Sequence, residues 1–330
     1  MKEIAVFVAG NKNIVKQAIV SLISMKKYNS NIDTFLLVNR EEITKKELEI
    51  LNKYNIKIPN FKFEFDFSSS NRWPKEVFLN YYAPIILNKL GYKYSLKIDC
   101  DTLCSKKIDF KDIMPKENQS FSAYDTGYEV DYYLKEEREF LIKEFKYNKS
   151  RLSYTYPNVG VILFNNELYI KNKIWEKIYE YNIRIKEKSE KKSLDIIFAD
   201  QALFAIVLST NENIFWKKIS CLYNFTVHEK NFYKIYDEDI NKVFLFHYTG
   251  IKPWEKIELR NILSNPYALT TRKYYFLFLK ELNIFNNKLD FLTEKVKNKK
   301  YLFDYLVENK LFVIWLYIWK KLSLFLKKIN

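Results

Sequence analysis

The chain has 330 residues, of which 48% are hydrophobic and 18% aromatic. This composition excludes a disordered protein and leaves room for one large domain with an appendage. The three cysteines and two histidines exclude a disulfide scaffold and a zinc quartet, and they predict a reducing, cytoplasmic compartment. The formal net charge of +15 leaves two kinds of anionic partner to consider, a nucleic acid and a membrane surface.

Much of the positive charge lies near the C-terminus. Residues 272–328 hold thirteen Lys or Arg and five Asp or Glu, which gives +8. The same segment contains nine consecutive apolar residues at 311–319, followed by Lys320 and Lys321, far fewer than the roughly 20 that a membrane span needs. Aromatic rings mixed with lysines predict a segment that lies on an anionic membrane surface, here the inner face of the membrane. A helix packed on the core or in a dimer interface is the alternative. Nucleic-acid binding is not expected, because the basic residues stand beside a long apolar run.

Strands and helices alternate along the first hundred residues. The apolar patterns predict strands over 4–9, 34–38, 61–67 and 94–98 and helices over 14–24 and 45–54. A further helical stretch runs over 73–82, and Pro84 interrupts it. This alternation predicts an α/β fold with a mostly parallel sheet flanked by helices, whose ligand crevice lies at the carboxyl ends of the strands.

The predicted strand 94–98 ends in two carboxylates, Asp99 and Asp101, with Cys100 between them. Two carboxylates held this close repel each other unless a cation lies between them. Mg²⁺ and Mn²⁺ prefer oxygen ligands and often share substrate phosphates, so the pair predicts a metal-bridged phosphate ester. A surface turn after a strand is the alternative, because Asp is common in turns.

Three further polar clusters follow along the chain. A small polar turn at Asn158-Val159-Gly160 precedes a buried strand, and it either presents an amide to a ligand or merely begins the strand. Asp200-Gln201 opens an apolar helix, where Asp is also a common N-cap. The third cluster ends a predicted strand and combines a possible metal ligand, a flexible glycine and a cation for phosphate: His247, Gly250 and Lys252.

In this order, the four clusters resemble glycosyltransferase family 8, the retaining group that includes glycogenin and bacterial lipooligosaccharide galactosyltransferases. The resemblance runs from about Ile4 to Trp254 and implies a GT-A fold, which we assign to residues 1–260. It also implies Mn²⁺, for which Mg²⁺ is the alternative, and a nucleotide-sugar donor that is usually a UDP-hexose. The composition of the C-terminal part predicts a helical, basic and aromatic appendage over 261–330, and its membrane docking predicts a glycan acceptor that is lipid-linked or at the cell surface. By this resemblance, the metal ligands are Asp99, Asp101 and His247.

The resemblance also implies roles for other residues. The nucleotide and diphosphate would lie against Val8, Gly10, Cys100, Gly250 and Lys252. Asn158 and Val159 would bind the donor in the sugar pocket, beside the candidate catalytic residues Asp200 and Gln201. The third candidate catalytic residue, Asp125, would be an acid on the acceptor side.

The chain departs from the family pattern near the donor. Val8 to Asn11 stands where an acidic residue often contacts uracil, and Asn80 stands where an arginine is common. A non-catalytic carbohydrate-binding protein on the same fold therefore stays open, as does a metal-dependent nucleotidyltransferase. No carboxylate is an obvious nucleophile, which favours front-face transfer with Gln201 as a weak stabiliser on the opposite face of the sugar.

Overall fold

The computed structural model describes residues 2–65, 74–129, 155–189, 199–226, 240–250, 252–254 and 267–282. The chain forms two compact units, Met1–Thr226 with Lys234–His247, and Val227–Tyr233 with Tyr248–Asn330. The predicted division at residue 260 stays a prediction, because residues 255–266 lie outside the described residues. The predicted membrane segment after residue 311 lies outside them as well.

The described strands are β1 Lys2–Ala9, β2 Asp33–Leu37, β3 Ile56–Lys57, β4 Tyr92–Ile98, β5 Thr102–Cys104, β6 Phe121–Glu129, β7 Thr155–Asn165, β8 Trp216–Ile219, β9 Phe225–Thr226 and β10 Leu245–His247. The described α-helices are α1 Val15–Tyr28, α2 Lys45–Lys53, α3 Leu79–Lys89, α4 Phe110–Ile113, α5 Asn166–Lys171, α6 Ile174–Ser189, α7 Ala199–Thr210 and α8 Tyr267–Leu282. Short 3₁₀ turns cover Lys12–Ile14, Arg40–Glu42, Lys75–Phe78, Cys221–Tyr223 and Ile240–Lys242.

Seven strands form the main sheet in the order β3-β2-β1-β4-β7-β6-β8. The ladders from β3 to β4 are parallel, β7 is antiparallel to both of its neighbours, and β8 is parallel to β6. Only β7 therefore runs against the other strands of this described sheet. The predicted α/β architecture with a mostly parallel sheet flanked by helices is confirmed.

The sheet centre follows from apolar runs that can be buried on both faces. In β1, Ala5, Val6, Phe7 and Val8 are at most 1% exposed, as expected for a central parallel strand covered on both sides. Since β7 runs opposite to β4, the start of β7 and the ends of β1, β4 and β6 meet at one edge. Asp99 and Asn158 therefore lie at the same edge of the sheet.

A second, three-stranded sheet, in the order β5-β10-β9, brings a distant part of the chain to this edge. His247 is paired with Thr102 of β5 on one side and with Thr226 of β9 on the other. Because Thr102 directly follows Asp101, this pairing holds His247 beside the two carboxylates.

Two sequence predictions about local structure are wrong. Pro84 does not interrupt a helix over 73–82: a 3₁₀ turn precedes α3, which runs from Leu79 through Pro84 to Lys89. Burial of the surrounding helix face, including Tyr81, Ala83 and Leu87 at 0% exposed, outweighs the hydrogen bond that proline cannot make.

The strand predicted over 61–67 is also wrong for its described part. Residues 61–65 join no sheet, although their side chains alternate between half-buried and exposed. Phe65 packs edge-on against Trp175, with ring centroids 4.8 Å apart, and against Tyr82 at 5.1 Å. The alternation reflects aromatic packing on α3 and α6 rather than strand pairing. Residues 66–73 lie outside the described residues.

The polar turn predicted at Asn158-Val159-Gly160 lies inside β7 and is a strand irregularity. Ala123 of β6 pairs with Ile162, whereas the next residue, Tyr124, pairs with Asn158. The backbone between Asn158 and Ile162 therefore bulges out of the ladder, a feature often found beside functional sites.

In the second unit, α8 packs its Tyr275 ring against the rings of Tyr248 and Trp254, with centroids 5.7 Å away in each case. None of the helices in the described ranges is long and apolar enough to cross a membrane.

Candidate active site

The two carboxylates and the histidine meet at the carboxyl end of β4. Nε2 of His247 lies 3.3 Å from Oδ2 of Asp99 and 3.4 Å from Oδ1 of Asp101. His247 and Asp101 are 3% and 4% exposed, and Asp99 is half-buried. One ligand atom from each of the three residues lies within 4.8 Å of the others.

A chain of hydrogen bonds fixes the tautomer of His247. The Gly160 amide donates to Oδ1 of Asn158, so the atom that Asn158 presents must be the oxygen. Asn224 donates its Nδ2 to this oxygen, and its Oδ1 lies 2.8 Å from Nδ1 of His247. Nδ1 is therefore the protonated ring nitrogen, and the Nε2 lone pair of the neutral ring points at the carboxylates.

Gly160 makes room for the imidazole. A Cβ at this position would lie 2.0 Å from Cε1 and 2.4 Å from Nδ1 of His247, closer than two non-bonded atoms approach each other. Any other residue at position 160 would displace the histidine.

Lys97, which is 1% exposed, supplies a buried cation to the site. Its Nζ lies 2.5 Å from Oδ1 of Asp99 and 2.5 Å from the carbonyl oxygen of Val159. Asp99 thus contacts Lys97 through one oxygen and His247 through the other.

The pKa shifts follow from this crowding of charge. Burial alone would lower the pKa of His247, but the Asp101 and Asp99 carboxylates outweigh it and raise the pKa to about 9. Burial alone would raise the pKa of Asp99, but Lys97 and His247 outweigh it and lower the pKa. Positive charge is therefore favoured between the three side chains.

Hydroxyl groups hold the backbone segment that carries the two carboxylates. Thr102 Oγ1 donates to the Asp99 carbonyl oxygen at 2.8 Å, and Ser21 of α1 lies 2.7 Å from the same hydroxyl. The Asp99 amide donates to the carbonyl oxygen of Gly160 at 2.9 Å. Hydrogen bonds therefore fix the turn between β4 and β5, with half-buried Cys100 at its centre, to α1 and to β7.

Asp200 and Gln201 lie in the first turn of α7. Asp200 is 8% exposed, and the Tyr81 hydroxyl lies 3.5 Å from its Oδ2. Burial raises the pKa of Asp200 to about 6, with Lys97 opposing the rise and Asp99 adding to it. Asp200 is therefore within electrostatic reach of the cluster, and Gln201 is half-buried beside it.

Asp125 lies in the middle of β6, one residue beyond the pair formed by Tyr124 and Asn158. Its Oδ2 lies 2.5 Å from Nζ of Lys218, and its Oδ1 accepts the Gly127 amide at 3.0 Å. Both carboxylate oxygens of Asp125 therefore have partners, and its catalytic role stays a prediction.

Val8 is buried near the end of β1, and Gly10 is half-buried directly after it. The Gly10 amide donates to the carbonyl oxygen of Leu37 at 3.1 Å. Both residues lie at the same edge of the sheet as Asp99, while their contact with a nucleotide stays a prediction.

Gly250 and Lys252 belong to the second unit, and their role at a diphosphate stays a prediction. Gly250 has φ +76, a conformation that glycine adopts freely. Lys252 donates its Nζ to the Tyr248 carbonyl oxygen at 3.2 Å, and its own carbonyl oxygen accepts Nη2 of the buried Arg272 at 2.6 Å. Arg272 of α8 therefore holds the backbone at Lys252 through a hydrogen bond.

The three ligand atoms fit a hard divalent cation, since two carboxylate oxygens and one imidazole nitrogen lie within 4.8 Å of one another. The sequence analysis predicted these three residues. It missed Lys97 and Asn224, and it missed that Gly160 leaves space for the imidazole. No local pattern distinguishes Lys97, since the strand that holds it also contains the polar residues Lys93 and Ser95.

The chain has relatives of known structure. It is similar to an active-site mutant of LgtC (TM-score 0.55, 13% identity, 84% of this chain and 95% of LgtC covered) and to the glycosyltransferase GlyE of Streptococcus pneumoniae TIGR4 in its apo form (TM-score 0.52, 15% identity, 86% and 63% covered). It is also similar to the apo bifunctional glycosyltransferase WbbM (TM-score 0.52, 14% identity, 82% and 51% covered). The chain thus spans about half of WbbM and less than two thirds of GlyE. At these identities the likeness shows the fold alone, which is of the GT-A type.

No curated protein sequence gives a match. The model of glycosyl transferase family 8, by contrast, matches residues 5–258, more than three quarters of the chain. The chain therefore belongs to glycosyl transferase family 8.

Proposed function

We propose that this protein is a retaining, metal-dependent glycosyltransferase that moves a hexose from a nucleotide sugar, a UDP-hexose, to a glycan acceptor. Family membership supports glycosyl transfer. The observation that carries the proposed metal dependence is the cluster of Asp99, Asp101 and His247 at the carboxyl end of β4.

The three side chains of this cluster would hold Mn²⁺ or Mg²⁺. Such an ion neutralises the negative charge that grows on the diphosphate when the bond to the sugar breaks. The chain supplies the ligand geometry itself, since Asn224 orients His247 and Lys97 holds one oxygen of Asp99.

Five further residues are proposed to contact the donor. The Cys100 backbone would contact the ribose, and Val8 and Gly10 would border the base. Gly250 would allow close approach of the diphosphate, and Lys252 would neutralise part of its charge.

The sugar would lie beside the irregular part of β7 and the start of α7. Asn158 and Val159 would border it on one side, and Asp200 and Gln201 on the other. Gln201 would be a weak stabiliser of positive charge on the sugar ring. Since no described carboxylate is an evident nucleophile, we propose front-face transfer, in which a departing phosphate oxygen takes the acceptor proton.

Asp125, which forms an ion pair with Lys218, would be an acid on the acceptor side of the site. The acceptor we propose is a lipid-linked or cell-surface saccharide. The basic and aromatic segment after residue 311 would hold the protein on the anionic inner face of the membrane.

A screen of nucleotide sugars tests this function. Each donor is added with Mn²⁺, with Mg²⁺ or with EDTA, and both donor hydrolysis and thermal stabilisation are measured. We expect one UDP-hexose to be hydrolysed only with a divalent ion. Donor binding without hydrolysis or transfer under any condition would contradict the proposal and favour a non-catalytic carbohydrate-binding protein.

A further inference from the structure

Lys97 is a charged side chain in a position where an apolar residue would suffice. It is the sixth residue of β4, it is 1% exposed, and it pairs in register with Phe7 of β1 and Ile162 of β7. Burying an ion pair costs desolvation energy that its attraction often fails to recover. Stability alone therefore gives little reason for a lysine here.

The contacts of Lys97 join two parts of the proposed donor site. Its Nζ is 2.5 Å from Oδ1 of Asp99 and 2.5 Å from the carbonyl oxygen of Val159. The other oxygen of Asp99 faces His247 at 3.3 Å. The lysine thus occupies one oxygen of a proposed metal ligand and leaves the other toward the metal position.

The charge of Lys97 changes what the site attracts. With His247 neutral, as a metal ligand must be, the ammonium group of Lys97 and the carboxylates of Asp99 and Asp101 sum to a charge of −1, and a bound divalent ion would make this sum +1. Without the lysine the same site would be −2 when empty and neutral when loaded. With the lysine, the metal-loaded site is more positive and attracts a diphosphate more strongly. Without the lysine, the empty site is more negative and attracts the metal ion alone more strongly.

We propose that Lys97 is a positioning residue that limits Asp99 to one metal-facing oxygen and weakens the binding of metal alone. The metal is then held firmly only together with an anionic diphosphate. This inference rests on the proposed function, because it takes Asp99 as a metal ligand and a nucleotide sugar as the donor. Through Val159, the same ammonium group also fixes the irregular part of β7 against β4.

Lys97→Met tests the proposal, because methionine keeps much of the side-chain length and removes the charge. Mn²⁺ binding without nucleotide is followed by electron paramagnetic resonance of free Mn²⁺, and turnover is measured with the UDP-sugar found by the screen. We expect Mn²⁺ alone to bind about tenfold tighter or more, since a nearby positive charge has been removed. We expect kcat to fall by at least about tenfold, because Asp99 is no longer positioned.

These opposite changes separate the proposed role from simple damage, which would weaken metal binding and turnover together. Lys93→Met is the matched control, since Lys93 is an exposed residue of the same strand, and it should change neither quantity. Lys97→Arg, which keeps the charge, should keep Mn²⁺ affinity near the wild-type value. If Lys97→Met melts well below the wild type, Lys97→Gln takes its place with the same expected tightening.

Unchanged or weaker Mn²⁺ binding by the folded neutral variant would overturn the role of Lys97. The proposed function would survive that result, as long as the wild type turns over its donor with Mn²⁺. If the wild type binds Mn²⁺ and the variant binds it more tightly, yet no nucleotide sugar is turned over, the donor chemistry is wrong and the metal-site role stands.

Discussion

At the scale of single residues, His247 owes its place to two neighbours that perform no chemistry. Asn224 accepts a hydrogen bond from Nδ1, and Gly160 leaves the space that the imidazole ring occupies. Both act on the direction of Nε2, because a small rotation of the ring would turn its lone pair away from Asp99 and Asp101.

Gly160→Ala is expected to displace the imidazole, since the new Cβ would lie 2.0 Å from Cε1 of His247. We expect Mn²⁺ affinity to fall by at least about tenfold and stability to fall by about 1–3 kcal/mol, the usual cost of overpacking a core. Metal titration and thermal melting measure the two effects.

His247→Ala supplies the control for Gly160→Ala. In that background the imidazole is gone, so adding Gly160→Ala should cause no further loss of Mn²⁺ affinity. A further loss of tenfold in the double variant would show that Gly160 does not act through His247.

The raised pKa of Asp200 predicts that the stability of the protein depends on pH. Its pKa is about 6 in the folded protein, above the ordinary value near 3.9, so the folded state binds a proton that the unfolded chain has lost. Ionised Asp200 therefore lowers the free energy of unfolding as pH rises from about 4 to about 6, and the loss is constant above that range.

Asp200→Asn removes this ionisation. We expect the variant to gain up to about 3 kcal/mol of stability relative to the wild type between pH 4 and pH 7.5, from a shift of about two units at 1.36 kcal/mol each. Urea unfolding at both pH values measures the difference. An equal stability difference at the two pH values would contradict the account, and a loss of transfer by the more stable variant would support a role at the sugar.

At the scale of secondary-structure elements, the sequence predicted the elements with regular apolar patterns and failed where tertiary packing decides. Strands β1, β2 and β4 and helices α1 and α2 stand near their predicted positions. The run through Phe65 has a strand pattern but packs on aromatic rings, and α3 continues through Pro84 because its face is buried.

The candidate site was predictable to a similar extent. Asp99, Asp101 and His247 each follow an apolar strand pattern, so their residue types and positions indicated a site. Lys97, Asn224 and Gly160 matter through contacts between β4, β7 and the segment before β9, and no local pattern reports such contacts. The bulge in β7 was invisible for the same reason, because register is a property of two strands.

The proposed role of Lys252 at the diphosphate predicts an effect of Arg272 on donor binding. Arg272 donates to the Lys252 carbonyl oxygen at 2.6 Å, and hydrogen bonds from charged donors contribute about 1.5–3 kcal/mol. We expect Arg272→Met to raise the KM for the nucleotide sugar by about tenfold while kcat changes less than threefold. Lys280→Met, an exposed change on the same helix, is the control. A normal KM for Arg272→Met would show that donor binding does not depend on the hydrogen bond between Arg272 and Lys252.

At the scale of the whole molecule, the distribution of charge predicts where the protein works. The segment from residue 272 to 328 carries +8 of the net +15 and contains the apolar run at 311–319. Deletion of residues 311–330 should release the protein from vesicles that contain anionic lipids and leave donor hydrolysis intact. Co-sedimentation with such vesicles at low and high salt measures the binding, since attraction of lysines to lipid headgroups is screened by salt. Unchanged vesicle binding by the shortened chain would exclude this segment as the anchor.

The central claim is that Asp99, Asp101 and His247 hold a metal for glycosyl transfer, and Asp101→Asn tests it most directly. Asp101 is 4% exposed, and asparagine keeps its shape while removing its charge. Asp109→Asn is the matched control, because Asp109 is an exposed helix cap and asparagine caps as well. Mn²⁺-dependent turnover of the nucleotide sugar is measured for both variants and the wild type in saturating Mn²⁺. The account predicts that Asp101→Asn loses at least about 99% of the turnover, a loss of about 2.7 kcal/mol in transition-state stabilisation, and that Asp109→Asn retains all of it. Turnover by Asp101→Asn near the wild-type rate would contradict the metal assignment.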